Sequence, residues 1–263
     1  METKNTVFHN CTEIVQYLEK NKEGLTNNSH YRDEVGSEFA NYQDYDSLLK
    51  NLRLGNKDYN KDYLKVLNNL ELGSDTSNTY NYTDDGMFYD MGEVINNSPE
   101  CMLKDEEIPK KTLKLFIDVG YSGSTSNNVL RYRGIAIFKL LYTLYMQNYI
   151  LDVSWVCFTE MDDANVYERI FFHLPQNELN IPTIATFCSP EFFRLMLVCM
   201  YFPFNYHDVG RSRMNSSDIN LLKSQGLYIP GGYTSSKADS LHSQEEADKF
   251  IEGLFNNYTK GEK

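Results

Sequence analysis

The chain has 263 residues, of which 41% are hydrophobic, and it carries a formal net charge of −12 at pH 7. That length and composition suit one large domain or a domain with an appendage, and they exclude a compositionally disordered chain. The acidic balance disfavours general binding to the phosphate backbone of nucleic acids. The best candidates for a local basic groove are Arg131, Arg133, Arg211 and Arg213.

Several features indicate the reducing cytoplasm. The five cysteines are widely spaced without a Cys-x-x-Cys motif, and three lie in apolar segments, where a thiol behaves as a small hydrophobe. The first ten residues are polar, so we expect no signal peptide. The longest apolar run, 192–204, is interrupted by Arg194 and Pro203, so we expect no membrane span.

The N-terminal third is predicted to be helical. Apolar residues at helical spacing follow Thr12, which we expect to cap a helix. Residues 45–55 and 63–73 share the pattern Tyr-x-x-(Leu/Val)-Leu-x-Asn-Leu-x-Leu-Gly, which predicts two similar helices. Residues 74–86 and 99–111 are predicted to be a polar loop and a charged connector. We therefore divide the chain into an acidic helical region, 1–85, and an α/β domain, 86–263.

The centre of the chain predicts an α/β fold with a mixed sheet flanked by helices. Residues 112–120 form a short apolar run typical of a buried strand, and apolar residues recur at helical spacing through 129–148. Residues 149–160 and 166–174 are predicted strands. Their five-residue connection is too short for a parallel crossover, so we expect an antiparallel hairpin. Gly134 is expected to allow close approach of its helix to the sheet.

Three further helices and one strand are predicted after Pro175. Ser189 and Pro190 begin an apolar helix, and Ser216 is expected to cap a helix that ends at Gly226. Residues 227–232 are predicted to be a strand followed by a turn. Ser243 and Glu246 form a capping box that opens the C-terminal helix.

The residues best suited to chemistry follow the first central strand. Asp118 ends that strand, at the edge where open α/β sheets place their ligands. The hydroxyl groups of Ser122, Ser124 and Thr125 cluster just before the next helix. Oxygen ligands of this kind suit Mg²⁺ or Ca²⁺. The alternative is that these hydroxyl groups only cap the helix.

The segment Asp118-Val-Gly-Tyr-Ser122, then a helix, a strand that ends in Phe158-Thr159 and an antiparallel third strand resemble the opening of a von Willebrand factor A domain. This family carries a metal-dependent adhesion site that begins Asp-x-Ser-x-Ser, so the resemblance implies that Asp118 and Ser122 hold a metal ion. The chain has Gly120 in place of the first serine, which weakens that implication. Thr159, Asp162 and Asp163 would lie on a neighbouring loop.

A wider resemblance covers residues 86–102 and 131–155 as well as the two leucine–glycine segments. The order and the amino-acid sequences of these segments are similar to those of a family of unknown function encoded mainly by tailed bacteriophages. This resemblance supplies a viral context and no mechanism, and it implies that the cytoplasm in question is that of the host cell.

We therefore expect a phage-encoded, non-enzymatic protein that binds another protein through two loops of an A-like domain. The binding residues are expected among Tyr121, Ser124, Thr125, Thr159, Asp162 and Asp163. One alternative is a divalent-metal-dependent hydrolase centred on Asp118, which requires at least two further carboxylates near it. Another is a virion component that assembles with copies of itself. The five histidines are isolated in sequence, and His173 is expected to have a structural role.

Overall fold

The structure is a computed structural model of the chain. It describes residues 2–20, 45–54, 63, 80–83, 88–89, 102–105, 111–121, 125–147, 149–161, 166–174, 181–190, 192–193 and 215–261.

A five-stranded mixed sheet forms the centre of the fold, in the order β1-β7-β6-β5-β8. Its strands are β1 (Glu2–Phe8), β5 (Thr112–Asp118), β6 (Ile150–Met161), β7 (Val166–Leu174) and β8 (Leu227–Ile229). Strand β5 pairs in parallel with both β6 and β8. Strand β7 runs antiparallel to β6, and β1 is parallel to β7. The ends of β5, β6 and β8 therefore lie at one edge of the sheet, and the ends of β1 and β7 lie at the opposite edge.

Seven helices can be assigned within the described ranges. They are α1 (Cys11–Lys20), α2 (Tyr45–Leu54), α3 (Asn127–Met146), α4 (Ile181–Phe187), α5 (Ser216–Gln225), α6 (Ser236–Asp239) and α7 (Gln244–Gly261). In these same ranges no helix combines the length and the apolar character that a membrane span requires.

The main hydrophobic core lies on the face of the sheet that is covered by α3. Alternate residues of the strands point into it, among them Leu115, Trp155 and Phe172, all with no exposed surface. Helix α7 packs against α3, and Lys139 of α3 forms an ion pair with Asp248 of α7 at 3.1 Å. Helices α1 and α2 contribute to the same core.

Helix α5 covers only part of the other face of the sheet. Leu222 of α5 packs there with a smaller cluster formed by Phe116, Val156, Phe158, Tyr167 and Tyr228. The part of this face nearer to β1 forms a groove beside α5.

A second sheet has three short strands in the order β2-β4-β3: β2 (Tyr80–Thr83), β3 (Phe88–Tyr89) and β4 (Met102–Asp105). Strands β2 and β4 lie in segments predicted to be a loop and a connector, which is a correction. A domain boundary at residue 85 would separate these two paired strands. Strand β1 also belongs to the main sheet, so the described parts of 1–85 are not an independent helical region.

The predicted α/β class with a mixed sheet and flanking helices is confirmed. So are the three central strands, the long helix between them and the antiparallel hairpin. Residue Tyr63 is buried, but the rest of the predicted helix 63–73 lies outside the described residues, as do 194–214.

Two predicted helix caps are displaced by one or two residues. Asn10 accepts the backbone N–H of Glu13 and caps α1 in place of Thr12. Asn215 accepts the N–H of Asp218 and caps α5 in place of Ser216. Asparagine caps a helix as well as serine or threonine does, so residue type alone could not show which of two nearby residues is the cap.

Gly134 allows a close approach, but not to the sheet as predicted. A Cβ atom at this position would lie 1.8 Å from the backbone oxygen of Cys188. The glycine therefore lets α3 pack against the turn that follows α4.

Candidate functional site

The ends of β5 and β8, with residues 119–121 and 230–235 that follow them, form what we call the carboxyl edge. Asp118 is the last residue of β5 and only 2% of its surface is exposed. A carboxylate at such depth must be hydrogen-bonded, because an unpaired buried charge is strongly destabilising.

The carboxylate of Asp118 accepts hydrogen bonds from four groups of the same chain. Its Oδ1 accepts the backbone N–H of Gly120 at 2.9 Å. Its Oδ2 accepts the Tyr228 hydroxyl at 2.9 Å, the Gly231 N–H at 3.1 Å and the Thr234 hydroxyl at 2.7 Å. Asp118 thus ties the segment after β8 to the segment after β5.

Gly231 makes this arrangement sterically feasible. A Cβ atom there would lie 2.6 Å from the backbone oxygen of Gly120 and 2.9 Å from Cγ of Asp118. Only glycine lets the backbone come near enough to donate to the carboxylate without a clash.

The Arg133 side chain lies beneath this network. It has no exposed surface, and its Nη2 donates to the backbone oxygens of Asp118 at 2.6 Å and of Pro230 at 3.0 Å. Its guanidinium carbon lies 5.2 Å from the Tyr121 ring centre and 5.3 Å from that of Phe193, which are cation–π distances. Because Arg133 is buried, it cannot contribute to an exposed basic groove for nucleic acid.

Two tyrosines of the edge are held in their neutral form. Burial, with the negative charge of Asp118, raises the pKa of the Tyr228 hydroxyl well above its usual value. Burial also raises the pKa of the Tyr121 hydroxyl, against a smaller lowering effect of Arg133. Both hydroxyl groups therefore stay protonated at physiological pH, and that of Tyr228 remains a donor to Asp118.

The predicted site residues divide into three groups. Tyr121 and Thr125 are buried, with Thr125 donating to Asp239, so they shape the edge from within and do not present a contact surface. Thr159 lies near the end of β6 opposite Glu168, roughly 10 Å beyond the register of Asp118 at ~3.3 Å per residue. Ser122, Ser124, Asp162 and Asp163 lie outside the described residues.

A metal ion at Asp118 would have to compete with the four donors that already occupy its oxygens. Among the described residues, no group of three or more His, Cys, Asp or Glu side chains is arranged to hold a metal ion. In the described residues, Asp118 is a hydrogen-bonded carboxylate at the centre of the carboxyl edge.

Tyr233 is an edge residue that the sequence analysis missed. It lies in the turn 231–234, its N–H donates to the backbone oxygen of Gly120 at 3.2 Å, and 42% of its surface is exposed. The sequence offered one signal, since the Gly-Gly pair at 231–232 predicted a turn that could display the next side chain.

The groove beside α5 is a second candidate site, with a volume of about 530 Å³. That volume is within the range of small-molecule sites. Its apolar lining includes Val7, Phe158, Phe171 and Leu221. Its polar lining includes Asn5, His9, Lys114, Asp152, Ser154, Arg169, His173 and Asp218.

Comparison with known proteins gives a family for this fold but no activity. No curated protein and no solved structure matches the chain. A family described as a domain of unknown function, DUF7192, matches residues 2–258, so both the sheet and the carboxyl edge lie within the match. The chain belongs to this family, the domain of unknown function DUF7192.

Proposed function

We propose that this is a non-enzymatic protein, encoded by a phage, that binds a partner protein through the carboxyl edge of its sheet. The observation that carries this proposal is the engagement of the Asp118 carboxylate by four donors from its own chain. A carboxylate engaged in this way fixes the shape of a surface.

The network gives the edge a shape that does not need a ligand to form it. Tyr228, Gly231 and Thr234 are all held on one oxygen of Asp118, and Gly120 is held on the other. A preorganised surface loses little conformational entropy on binding, which favours affinity.

Tyr233 supplies the kind of side chain that dominates binding energy in protein interfaces. Tyrosine is enriched at interface hot spots because it combines a large apolar ring with a polar hydroxyl. Its backbone N–H is fixed to the oxygen of Gly120, so the ring is displayed from a rigid turn.

The two alternatives, a metal-dependent hydrolase and a virion component, have weaker support at this edge. The hydrolase hypothesis needs at least two further carboxylates near Asp118. Among the described residues Asp239 is one candidate, because the charges of both Asp239 and Asp118 raise the pKa of the Tyr121 hydroxyl, but Asp239 already accepts a hydrogen bond from Thr125. The virion-component hypothesis predicts self-association, which sedimentation of the purified protein would detect.

The proposal can be tested by photo-crosslinking at Tyr233. Replacing Tyr233 with benzoylphenylalanine in cells that contain the partner should give a crosslink to one protein. The matched control is the same replacement at Tyr145, which is 49% exposed near the end of α3, at the opposite edge of the sheet. The crosslinked protein is then purified, and its affinity is measured for the unmodified chain and for Tyr233→Ala and Tyr145→Ala.

We expect Tyr233→Ala to weaken binding by about tenfold or more, since a hot spot contributes ~2 kcal/mol or more and ~1.4 kcal/mol is tenfold. Tyr145→Ala should bind as the unmodified chain does, and both variants should unfold at the same denaturant concentration. Equal crosslinking at both positions, or equal affinity of both variants, would contradict the proposal.

A further inference from the structure

We propose that His9 and His173 form a binding site for a borderline divalent metal ion, such as Zn²⁺ or Co²⁺, at one end of the groove beside α5. This site lies at the opposite edge of the sheet from Asp118 and is independent of the partner-binding proposal. Imidazole nitrogens are preferred ligands of these ions.

The sheet brings the two histidines together. Phe8 of β1 is in register with Phe172 of β7, so the next residues of these parallel strands, His9 and His173, lie side by side. Both side chains line the same groove. Their ring centres are 6.5 Å apart, with an angle of 73° between the planes.

The separation of the rings is close to what a shared metal ion requires. With metal–nitrogen bonds of ~2.1 Å, the centres of two ligating imidazole rings lie roughly 5–6 Å apart. The His9 side chain is exposed, so a small rotation of its ring brings the pair into range.

A neighbouring hydroxyl group orients one of the rings. Nδ1 of His173 forms a hydrogen bond with the Ser154 hydroxyl at 3.3 Å, and Oδ1 of Asp152 lies 3.3 Å from the same nitrogen. When this nitrogen carries the proton and donates to Ser154, Nε2 is left with its lone pair to bind a metal ion. The second ring nitrogen of a metal-ligating histidine is commonly held by a hydrogen bond outside the coordination sphere, which fixes the tautomer.

The pair of imidazoles leaves part of the coordination sphere for other donors. Zn²⁺ usually takes four ligands, so two positions remain for water or for a donor atom of a molecule in the groove. The walls of the groove are apolar at Val7, Phe171 and Leu221, which suits a small organic molecule with one metal-binding group.

The charges around the site are balanced before a metal ion binds. Asp152 lies 3.7 Å from Lys114, and Arg169 pairs with Asp218 further along the groove. The ion would add positive charge beside Asp152, which also lies 3.3 Å from His173 and whose side chain is 35% exposed.

The experiment is calorimetric titration of the full-length protein, without a histidine tag and freed of metal by EDTA, with Zn²⁺ alone and with Co²⁺ alone. The variants are His9→Gln, His173→Gln and Asp152→Asn. The matched control is His242→Gln, at an exposed histidine before α7. The visible absorption of Co²⁺ reports whether nitrogen ligands are bound.

We expect one equivalent of metal to bind. Each histidine variant should weaken that binding at least tenfold, and His242→Gln should leave it unchanged. Asp152→Asn should weaken it less than the histidine variants do, with the Co²⁺ spectrum retained, because it removes a neighbouring negative charge and no ligand. Absence of stoichiometric binding, or binding that survives in both His9→Gln and His173→Gln, would overturn the proposal. Urea unfolding of each variant checks that a lost signal does not come from a lost fold.

Discussion

Substitution of Gly134 by alanine tests the packing of α3 against the turn after α4. In the interior of a helix this substitution normally stabilises a protein by about 0.5–1 kcal/mol. At Gly134 the new methyl group would lie 1.8 Å from the oxygen of Cys188 and 3.0 Å from its carbonyl carbon. The two elements must move apart by more than 1 Å to restore ordinary contact distances (3.4 Å or more). Overpacking of this kind costs about 1–3 kcal/mol, so we expect a net loss of stability.

The matched control is Gly253→Ala in α7, where the new methyl group meets no atom within 4 Å. This variant should be more stable than the unmodified chain by about 0.5–1 kcal/mol. Urea unfolding monitored by circular dichroism gives both free energies, and an unchanged slope shows that only stability has changed. If both substitutions stabilise the protein equally, then α3 does not pack as closely against Cys188 as the structure shows.

Two further predictions concern thiol reactivity and alkaline pH. Burial raises the pKa of the Cys188 thiol far above its usual range, and Cys157 is also buried. Iodoacetamide should therefore label the partly exposed Cys11 before Cys157 and Cys188, and peptide mapping that finds Cys188 labelled as fast as Cys11 would contradict this. The pKa values of Tyr121 and Tyr228 are higher in the folded protein than the usual tyrosine value of 10. The contribution of this difference to the free energy of unfolding is fully present below pH 10. That stability is lost as the pH rises above 10 toward the folded-state pKa values, because the unfolded chain then ionises first. In an alkaline titration followed by tyrosinate absorbance, some tyrosines should ionise only when the protein unfolds. Ionisation of all tyrosines while the protein stays folded would refute the raised pKa values of Tyr121 and Tyr228.

The sequence predicted elements whose signals are local. The apolar run of 112–118, the helical spacing that follows Ser126 and the short connection before Val166 each identify an element without reference to the rest of the chain. Strand β1 was missed because only Phe8 of its residues is buried among those described, so no alternating pattern marks it.

The carboxyl edge could be predicted only in part. Asp118 was found because a carboxylate at the end of a buried strand is unusual. Its partners Tyr228, Gly231 and Thr234 lie 110 to 116 residues further along the chain, and no local pattern connects them to it. The position of Asp118 at the centre of a hydrogen-bond network could therefore not be predicted from the sequence.

The pairing of His9 with His173 shows the same limit. Each histidine is isolated in sequence, and their proximity depends on β1 lying parallel to β7. A search for metal-ligand spacing along the chain cannot detect two ligands that only the sheet brings together.

The central claim is that the carboxylate of Asp118 holds the carboxyl edge together through hydrogen bonds. Its most direct test is the free energy of unfolding of Asp118→Ala and of the unmodified chain, each measured in EDTA and in excess Mg²⁺ or Ca²⁺. We predict that Asp118→Ala loses about 3 kcal/mol or more in EDTA, because four donors lose their acceptor and each buried donor left unpaired costs about 1–3 kcal/mol. Neither ion should stabilise the unmodified chain. Two results together would contradict the claim. Asp118→Ala would be as stable as the unmodified chain in EDTA, and the free energy of unfolding of the unmodified chain would rise by about 2.7 kcal/mol when the ion is at a hundred times its dissociation constant.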